Sequence, residues 1–127
     1  MVLTPTYHVF DLYKAHQNAK EIDCFVQTET VGDGEWQAGQ ITASASEKDG
    51  MITVTMANLS ADKPATVTLD GANAASVAGR ILKGEMHQYN DFGDAPLAVE
   101  AFDGCVLKDG KIEIELPACC VAEITIK

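Results

Sequence analysis

After residue 21, apolar and polar side chains alternate along most of the chain. A period of two places successive side chains on opposite faces of a strand, and it is clearest at residues 52–56, 67–69 and 112–116. Asp-Gly pairs mark turns at 33–34, 49–50, 70–71 and 109–110. Eight short strands are predicted, at residues 22–31, 40–46, 51–58, 65–69, 77–83, 105–108, 111–116 and 119–126. The sequence therefore predicts a mainly β fold, an antiparallel β-sandwich of the jelly-roll or immunoglobulin-like type.

The first residues predict one N-terminal α-helix over residues 4–17. Thr4 is a suitable N-cap, and Pro5 suits the first helical position, where a missing N–H costs nothing. One face of this helix carries Val9, Tyr13 and His16, and a second face carries Leu3, Tyr7 and Phe10. Because a surface helix needs only one apolar face, we expect this helix to be covered from two sides.

Residues 84–101 follow no clean period and form the one long predicted loop. Loops of this length in compact domains tend to be functional or interfacial. Residues 90–94 offer oxygen ligands for calcium, but they lack the spaced acids and terminal glutamate of an EF-hand. We therefore predict no calcium site in this loop.

Composition and charge narrow the class of protein. The 127 residues, 46% of them hydrophobic and 22% charged, suit one globular domain. Nine basic and nineteen acidic residues give a net charge of −10, which disfavours binding to nucleic acid and to anionic membranes. We predict no transmembrane segment and no signal peptide, because no apolar run is long enough and the first residues lack a basic region. Localisation stays open.

Acidic residues and histidines, which serve most hydrolytic and metal sites, do not have the spacing of a known catalytic or metal-binding motif in this sequence. Acidic residues fall in turns or at outward strand positions such as Glu113 and Glu115, so no carboxyl pair stands out. His8, His16 and His87 do not have the spacing of a zinc helix, and the two helical histidines suit a packing interface. We predict no catalytic, cofactor-binding or metal-binding residue and no cofactor.

The four cysteines are Cys24, Cys105, Cys119 and Cys120. None belongs to a CxxC pair, and free cysteine packs as a small hydrophobe, so we expect free and mostly buried thiols. A Cys24–Cys105 or Cys105–Cys119 bridge stays open as an alternative, since connectivity does not follow from sequence.

Three aromatic residues, Trp36, Tyr89 and Phe92, lie in predicted turns or loops and are candidates for exposure. Exposed aromatics stack on sugar rings in carbohydrate-binding modules, which are also β-sandwiches. They also dock against other domains. Both interpretations stay open.

Several segments together resemble the late part of family 51 glycoside hydrolases, the α-L-arabinofuranosidases. The most specific is residues 1–14 (MVLTPTYHVFDLYK), followed by His16 and Gln17. Weaker matches follow in the same order, at residues 44–46 (SAS), 52–59, 77–82 (VAGRIL), 90–92 (NDF) with Pro96, and 116–117 (LP). The resemblance covers nearly the whole chain.

The resemblance implies that residues 1–20 are the last helix of a parent catalytic barrel and residues 21–127 a C-terminal β-sandwich. The family's acid/base and nucleophile glutamates lie upstream of the matched region, so no catalytic residue is carried over and this chain alone is expected to be inactive. The parent would hydrolyse terminal α-L-arabinofuranosyl residues in polysaccharides and oligosaccharides. The implied partner is the barrel, and without it the exposed helix is expected to self-associate.

Two alternatives remain beside this reading of the resemblance, a carbohydrate-binding module and an independent interaction domain. The sequence also departs from the family at two places. Cys119 and Cys120 replace small or hydroxyl residues in the final hairpin, and residues 93–95 (GDA) replace a more acidic loop. The second departure leaves open whether residues 84–101 contact substrate.

Overall fold

The structure is a computed structural model that describes residues 1–71 and 74–127. Its N-terminal helix, α1 (Pro5–Tyr13), begins as the sequence predicts, because the side chain of Thr4 accepts a hydrogen bond from the Tyr7 N–H at 3.3 Å. A 3-10 turn at Lys14–His16 completes the predicted helical segment. Asn18 then takes a left-handed conformation, φ 59°, that a helix does not continue through.

Eleven strands follow in the described residues. In chain order they are β1 (Lys20–Ile22), β2 (Thr30–Asp33), β3 (Trp36–Gly39), β4 (Ile41–Lys48), β5 (Met51–Asn58), β6 (Ala65–Leu69), β7 (Val77–Lys83), β8 (Glu100–Phe102), β9 (Cys105–Lys108), β10 (Lys111–Leu116) and β11 (Cys120–Ile126). Five of the eight predicted strands are confirmed to the residue, and those at 40–46 and 119–126 are confirmed with ends shifted by one or two residues.

The predicted strand at 22–31 is wrong, and two short strands were missed. Only Lys20–Ile22 pairs with β4. The chain then leaves that sheet, and the next strand, β2, begins at Thr30 and pairs with β3 instead. Alternation alone did not reveal that residues 23–29 have no partner strand. The missed strands are β3, which pairs with β2, and β8, which pairs with β7 and begins inside the predicted loop.

Within residues 1–71 and 74–127, all strand pairs are antiparallel and form three sheets. The largest has the order β1-β4-β5-β11-β7-β8, the second has the order β6-β10-β9, and β2 with β3 forms a hairpin. The core lies between the two larger sheets, where Val54, Met56 and Ile124 pack in one cluster with Ile112 and Ile114. The predicted antiparallel β-sandwich with one N-terminal helix is confirmed.

The burial of β10 follows the predicted alternation, while that of β5 does not. Ile112, Ile114 and Leu116 are all buried, with charged residues between them. In β5 the buried residues lie on both faces, from Thr53 to Asn58, because the three-stranded sheet covers one face and the helical segment covers the other. Ile52, which alternation along β5 places on the same face as Val54 and Met56, is partly buried against the core.

A second, smaller core lies beneath α1. Leu12 is fully buried there with Leu82 of β7 and Leu97 of the long loop. Val9, Tyr13 and Val121 pack around them. The molecule is therefore built as helix, six-stranded sheet and three-stranded sheet in successive layers. No helix among the described residues is long and apolar enough to cross a membrane.

Candidate functional site

The three histidines differ in their surroundings, and the sequence predicts no metal site for them. Both ring nitrogens of His16 have hydroxyl partners on the sheet, Nδ1 at 2.6 Å from Ser46 Oγ and Nε2 at 2.8 Å from Thr55 Oγ1. His16 therefore fixes the end of the helical segment onto β4 and β5, which confirms a packing role. His8 is half-buried with its ring edge-to-face against Tyr7, and His87 is exposed. Within the described residues, no three His, Cys, Asp or Glu side chains are grouped to hold a metal ion.

All four cysteines are free thiols. Cys120 is buried and Cys105 partly buried, and burial raises the pKa of each thiol to about 11. Both thiols are therefore protonated at neutral pH and are poor nucleophiles. Cys24 is exposed, so the expectation of mostly buried thiols fails there.

Two carboxylates do approach each other, but an arginine lies between them. Arg80 of β7 forms a two-point ion pair with Glu123 of β11, with both N–O distances 3.1 Å. Its third nitrogen, Nη1, donates to Asp11 Oδ2 of α1 at 3.2 Å. A glycosidase pair needs one carboxyl free to protonate and the other free to attack, and both of these are neutralised. The trio ties the helix to the sheet.

Neighbouring charges shift the pKa values of Asp11 and Arg80 in the directions that keep both side chains charged. The Lys14 ammonium, 2.6 Å from Asp11 Oδ1, and then Arg80 lower the pKa of Asp11 below its usual value. The carboxylate of Glu123 and then that of Asp11 raise the pKa of Arg80. Asp11 and Arg80 are 69 positions apart, so no spacing in the sequence pointed to this contact.

Several loops leave the six-stranded sheet at the same end. Ile41, Asn58, Cys120 and Lys83 lie in register across four neighbouring strands. The turn after β5 and the loop after β7 therefore begin at this end, and the hairpin β2–β3 leads into β4 there. Sites of β-sandwiches commonly lie on such loop ends.

The N-terminal helical segment and the long loop after β7 both carry exposed large apolar side chains, and we call these side chains together the helix–loop face. Its members are Leu3, Tyr7, Phe10, Met86, Tyr89 and Phe92. Asn90 of the long loop connects this loop to the start of the chain, because its Nδ2 donates to the Leu3 carbonyl at 2.8 Å and to the Leu97 carbonyl at 2.7 Å. The Leu97 N–H donates back to Asn90 Oδ1 at 2.8 Å. The long loop is thus held beside the start of α1.

The helix–loop face is far more exposed than large apolar side chains usually are. Tyr7 is 52% exposed and Phe10 is 73% exposed, whereas Leu12 on the opposite side is fully buried. The prediction that this helix has two apolar faces is therefore confirmed, with one face on the sheet and the other in solvent. Apolar patches of this kind mark interaction surfaces.

A groove that we call the hairpin groove opens at the same end of the sheet. It has a volume of about 800 Å³ and lies between the hairpin β2–β3 and the turn at residues 59–63. Trp36 lines it with 86% of its surface exposed. Exposure of Trp36 was predicted, although it begins strand β3 instead of lying in the turn.

Comparison with known proteins identifies the family. The model of the α-L-arabinofuranosidase C-terminal domain matches residues 1–120. An intracellular exo-α-L-arabinofuranosidase of Bacteroides ovatus is 32% identical over all of this chain, which spans 26% of that protein.

Solved structures agree with that family. The GH51 arabinofuranosidase from Xanthomonas axonopodis pv. citri superposes with a TM-score of 0.93 at 33% identity, over all of this chain and 27% of the other. The GH51 α-L-arabinofuranosidase from Thermotoga petrophila RKU-1 shares the fold, with a TM-score of 0.76 at 17% identity over 99% of this chain and 29% of the other. This chain therefore spans about a quarter of the length of its relatives, and it belongs to the α-L-arabinofuranosidase C-terminal domain family.

Proposed function

We propose that this chain serves as the non-catalytic C-terminal domain of an α-L-arabinofuranosidase. The observation that carries the proposal is family membership over the whole chain combined with coverage of only about a quarter of each relative. In the relatives, the matched region is part of a longer polypeptide. Asp11 and Glu123, the two carboxylates of the ion trio, are both held by Arg80, which supports a catalytic pair outside this chain.

The helix–loop face is proposed as the surface that packs on the catalytic barrel, with residues 1–20 as the last barrel helix and residues 21–127 as the sandwich. The burial of the helix supports a partner that covers this face. Leu12 packs against the sheet, while Tyr7 and Phe10 face away from it. Full exposure of a large apolar side chain forgoes about 1.5–3 kcal/mol relative to burial, so a covering partner is strongly favoured.

The parent is proposed to hydrolyse terminal α-L-arabinofuranosyl residues of arabinose-containing polysaccharides and oligosaccharides. The proposal is supported by the names of two relatives, an exo-α-L-arabinofuranosidase and a GH51 arabinofuranosidase. A second candidate, a carbohydrate-binding function, is favoured by the exposed Trp36 in the hairpin groove. It does not exclude the first, because the groove and the helix–loop face have no residue in common.

Without the barrel, the isolated chain is predicted to pair with a second copy through the helix–loop face. Identical chains carry identical patches, which favours two-fold pairing. Phe10→Glu places a charge in that patch and should shift the protein to monomer at concentrations where the parent sequence dimerises. Light scattering over a concentration series measures the change.

The matched control for this substitution is Phe25→Glu, because Phe25 is the same residue type and even more exposed but lies in the segment between β1 and β2. This variant should dimerise like the unchanged chain. Unchanged circular dichroism of Phe10→Glu would show that the sandwich stays folded. A chain that remains monomeric throughout the series would contradict the prediction.

A further inference from the structure

We infer that the hairpin groove is a binding site for a neutral oligosaccharide, with Trp36 as the surface on which a sugar ring stacks. The inference rests on the second candidate of the proposed function, carbohydrate binding, and deepens it by naming the site and the chemical class of its ligand. It rests on the form of the groove, on the rigidity of its two walls and on its mixture of chemical groups.

One wall of the hairpin groove is held by a buried polar network. Asn58 Nδ2 donates to the Lys63 carbonyl and to the Pro117 carbonyl, both at 3.0 Å. Gln40 Nε2 donates to the same Lys63 carbonyl at 3.2 Å, and the Lys63 N–H donates to Ser60 Oγ at 3.0 Å. The turn at residues 60–63 is therefore fixed from inside, while the side chains of Asp62 and Lys63 stay exposed on its outer side.

The other wall is a hairpin whose two strands approach each other closely beside Trp36. Gly34 has φ 56° in the two-residue turn that joins β2 and β3. Gly32 has φ 115°, and a Cβ at this position would lie 2.0 Å from the Trp36 carbonyl oxygen. Only glycine fits so close an approach, so the strands are held together directly beside Trp36.

The groove mixes an aromatic surface with hydrogen-bonding groups of both kinds. Trp36 offers a broad apolar face, and Gln37 offers an amide that both donates and accepts. Glu35 and Asp62 contribute two acids and Lys63 one base. An anionic ligand would meet more negative than positive charge, and a purely apolar ligand would leave the polar groups without partners. A neutral sugar chain satisfies both requirements, with C–H faces for stacking and hydroxyls for hydrogen bonds.

The position of Trp36 makes the inference directly measurable. It is the single tryptophan of the chain, so all indole fluorescence comes from the groove. We expect arabino-oligosaccharides or arabinose-substituted xylo-oligosaccharides, added to the full 127-residue chain, to change this fluorescence saturably. By calorimetry, Trp36→Ala should weaken the binding about tenfold or more, and Trp36→Phe should restore part of it.

Two controls separate this site from the helix–loop face. Tyr89→Ala removes an exposed aromatic that lies outside the hairpin groove and should leave sugar affinity unchanged. Phe10→Glu should abolish pairing of the chains and leave sugar affinity unchanged. Loss of pairing and loss of sugar binding can therefore be told apart. The inference is overturned by an absence of saturable change, by unaltered binding in Trp36→Ala, or by a fluorescence change that depends on protein concentration alone.

Discussion

Ile114→Ala should lower the free energy of unfolding by about 2–5 kcal/mol, the range seen when a large buried aliphatic side chain is truncated. Ile114 is 0% exposed, in the middle of β10, and it belongs to the core between the two larger sheets. β10 is paired on both sides, with β6 and β9, so its backbone has little room to relax into the cavity. Urea unfolding followed by circular dichroism measures the change.

The control for Ile114→Ala is Val106→Ala on the adjacent strand β9. Val106 is exposed and pairs with Glu113, the residue next to Ile114. Its truncation should change stability by less than about 0.5 kcal/mol, as surface substitutions usually do. A loss below about 0.5 kcal/mol for Ile114→Ala itself would mean that β10 turns its other face inward.

Asn58→Ala should cost about 2–5 kcal/mol, because it leaves buried backbone groups without hydrogen-bond partners, each at about 1–3 kcal/mol. The Pro117 carbonyl would lose the Nδ2 donor, and the Ser60 N–H would lose the Oδ1 acceptor at 3.1 Å. Gln40 keeps its bond to the Lys63 carbonyl, so part of the turn survives. Thermal and urea unfolding of the variant both measure this loss.

Gln27→Ala is a suitable control for Asn58→Ala, since it truncates an exposed amide of the segment between β1 and β2. We expect it to be neutral within about 0.5 kcal/mol. The same pair of variants also reports on the hairpin groove, because the Asn58 network supports one of its walls. An Asn58→Ala protein as stable as the unchanged chain would remove the argument for a rigid wall.

The sequence was most informative where turn signals bounded a clear alternation. β5, β6, β9 and β10 lie between Asp-Gly turns or prolines, and their ends were predicted to the residue. The segment at 22–31 alternates less clearly, since residues 24–26 are all apolar and residues 27–30 are all polar. Whether such a strand pairs also depends on a neighbour that only the folded sheet supplies. β3 was missed because four residues that end in glycine carry too little pattern.

Long-range polar contacts could not be predicted in the same way. Asn58 meets the carbonyl of Pro117, which is 59 positions away, and Arg80 meets Glu123, which is 43 positions away. Neither pair shows a local spacing. A charged residue inside an otherwise apolar strand was the available signal for Arg80 and Glu123, since a buried charge requires a partner. The two faces of α1 were predictable, because 3.6-residue periodicity is a local property.

The most direct test of the account is a chimera in which this chain replaces the matched region of the Xanthomonas axonopodis relative. The chimera should hydrolyse an aryl α-L-arabinofuranoside at a rate within about tenfold of that of the unmodified enzyme, which corresponds to a change in the activation barrier of at most about 1.4 kcal/mol. The account also predicts that this chain alone shows no turnover. Turnover by the purified chain alone, abolished by substituting one of its own acidic residues, would contradict the claim that the catalytic pair lies outside it.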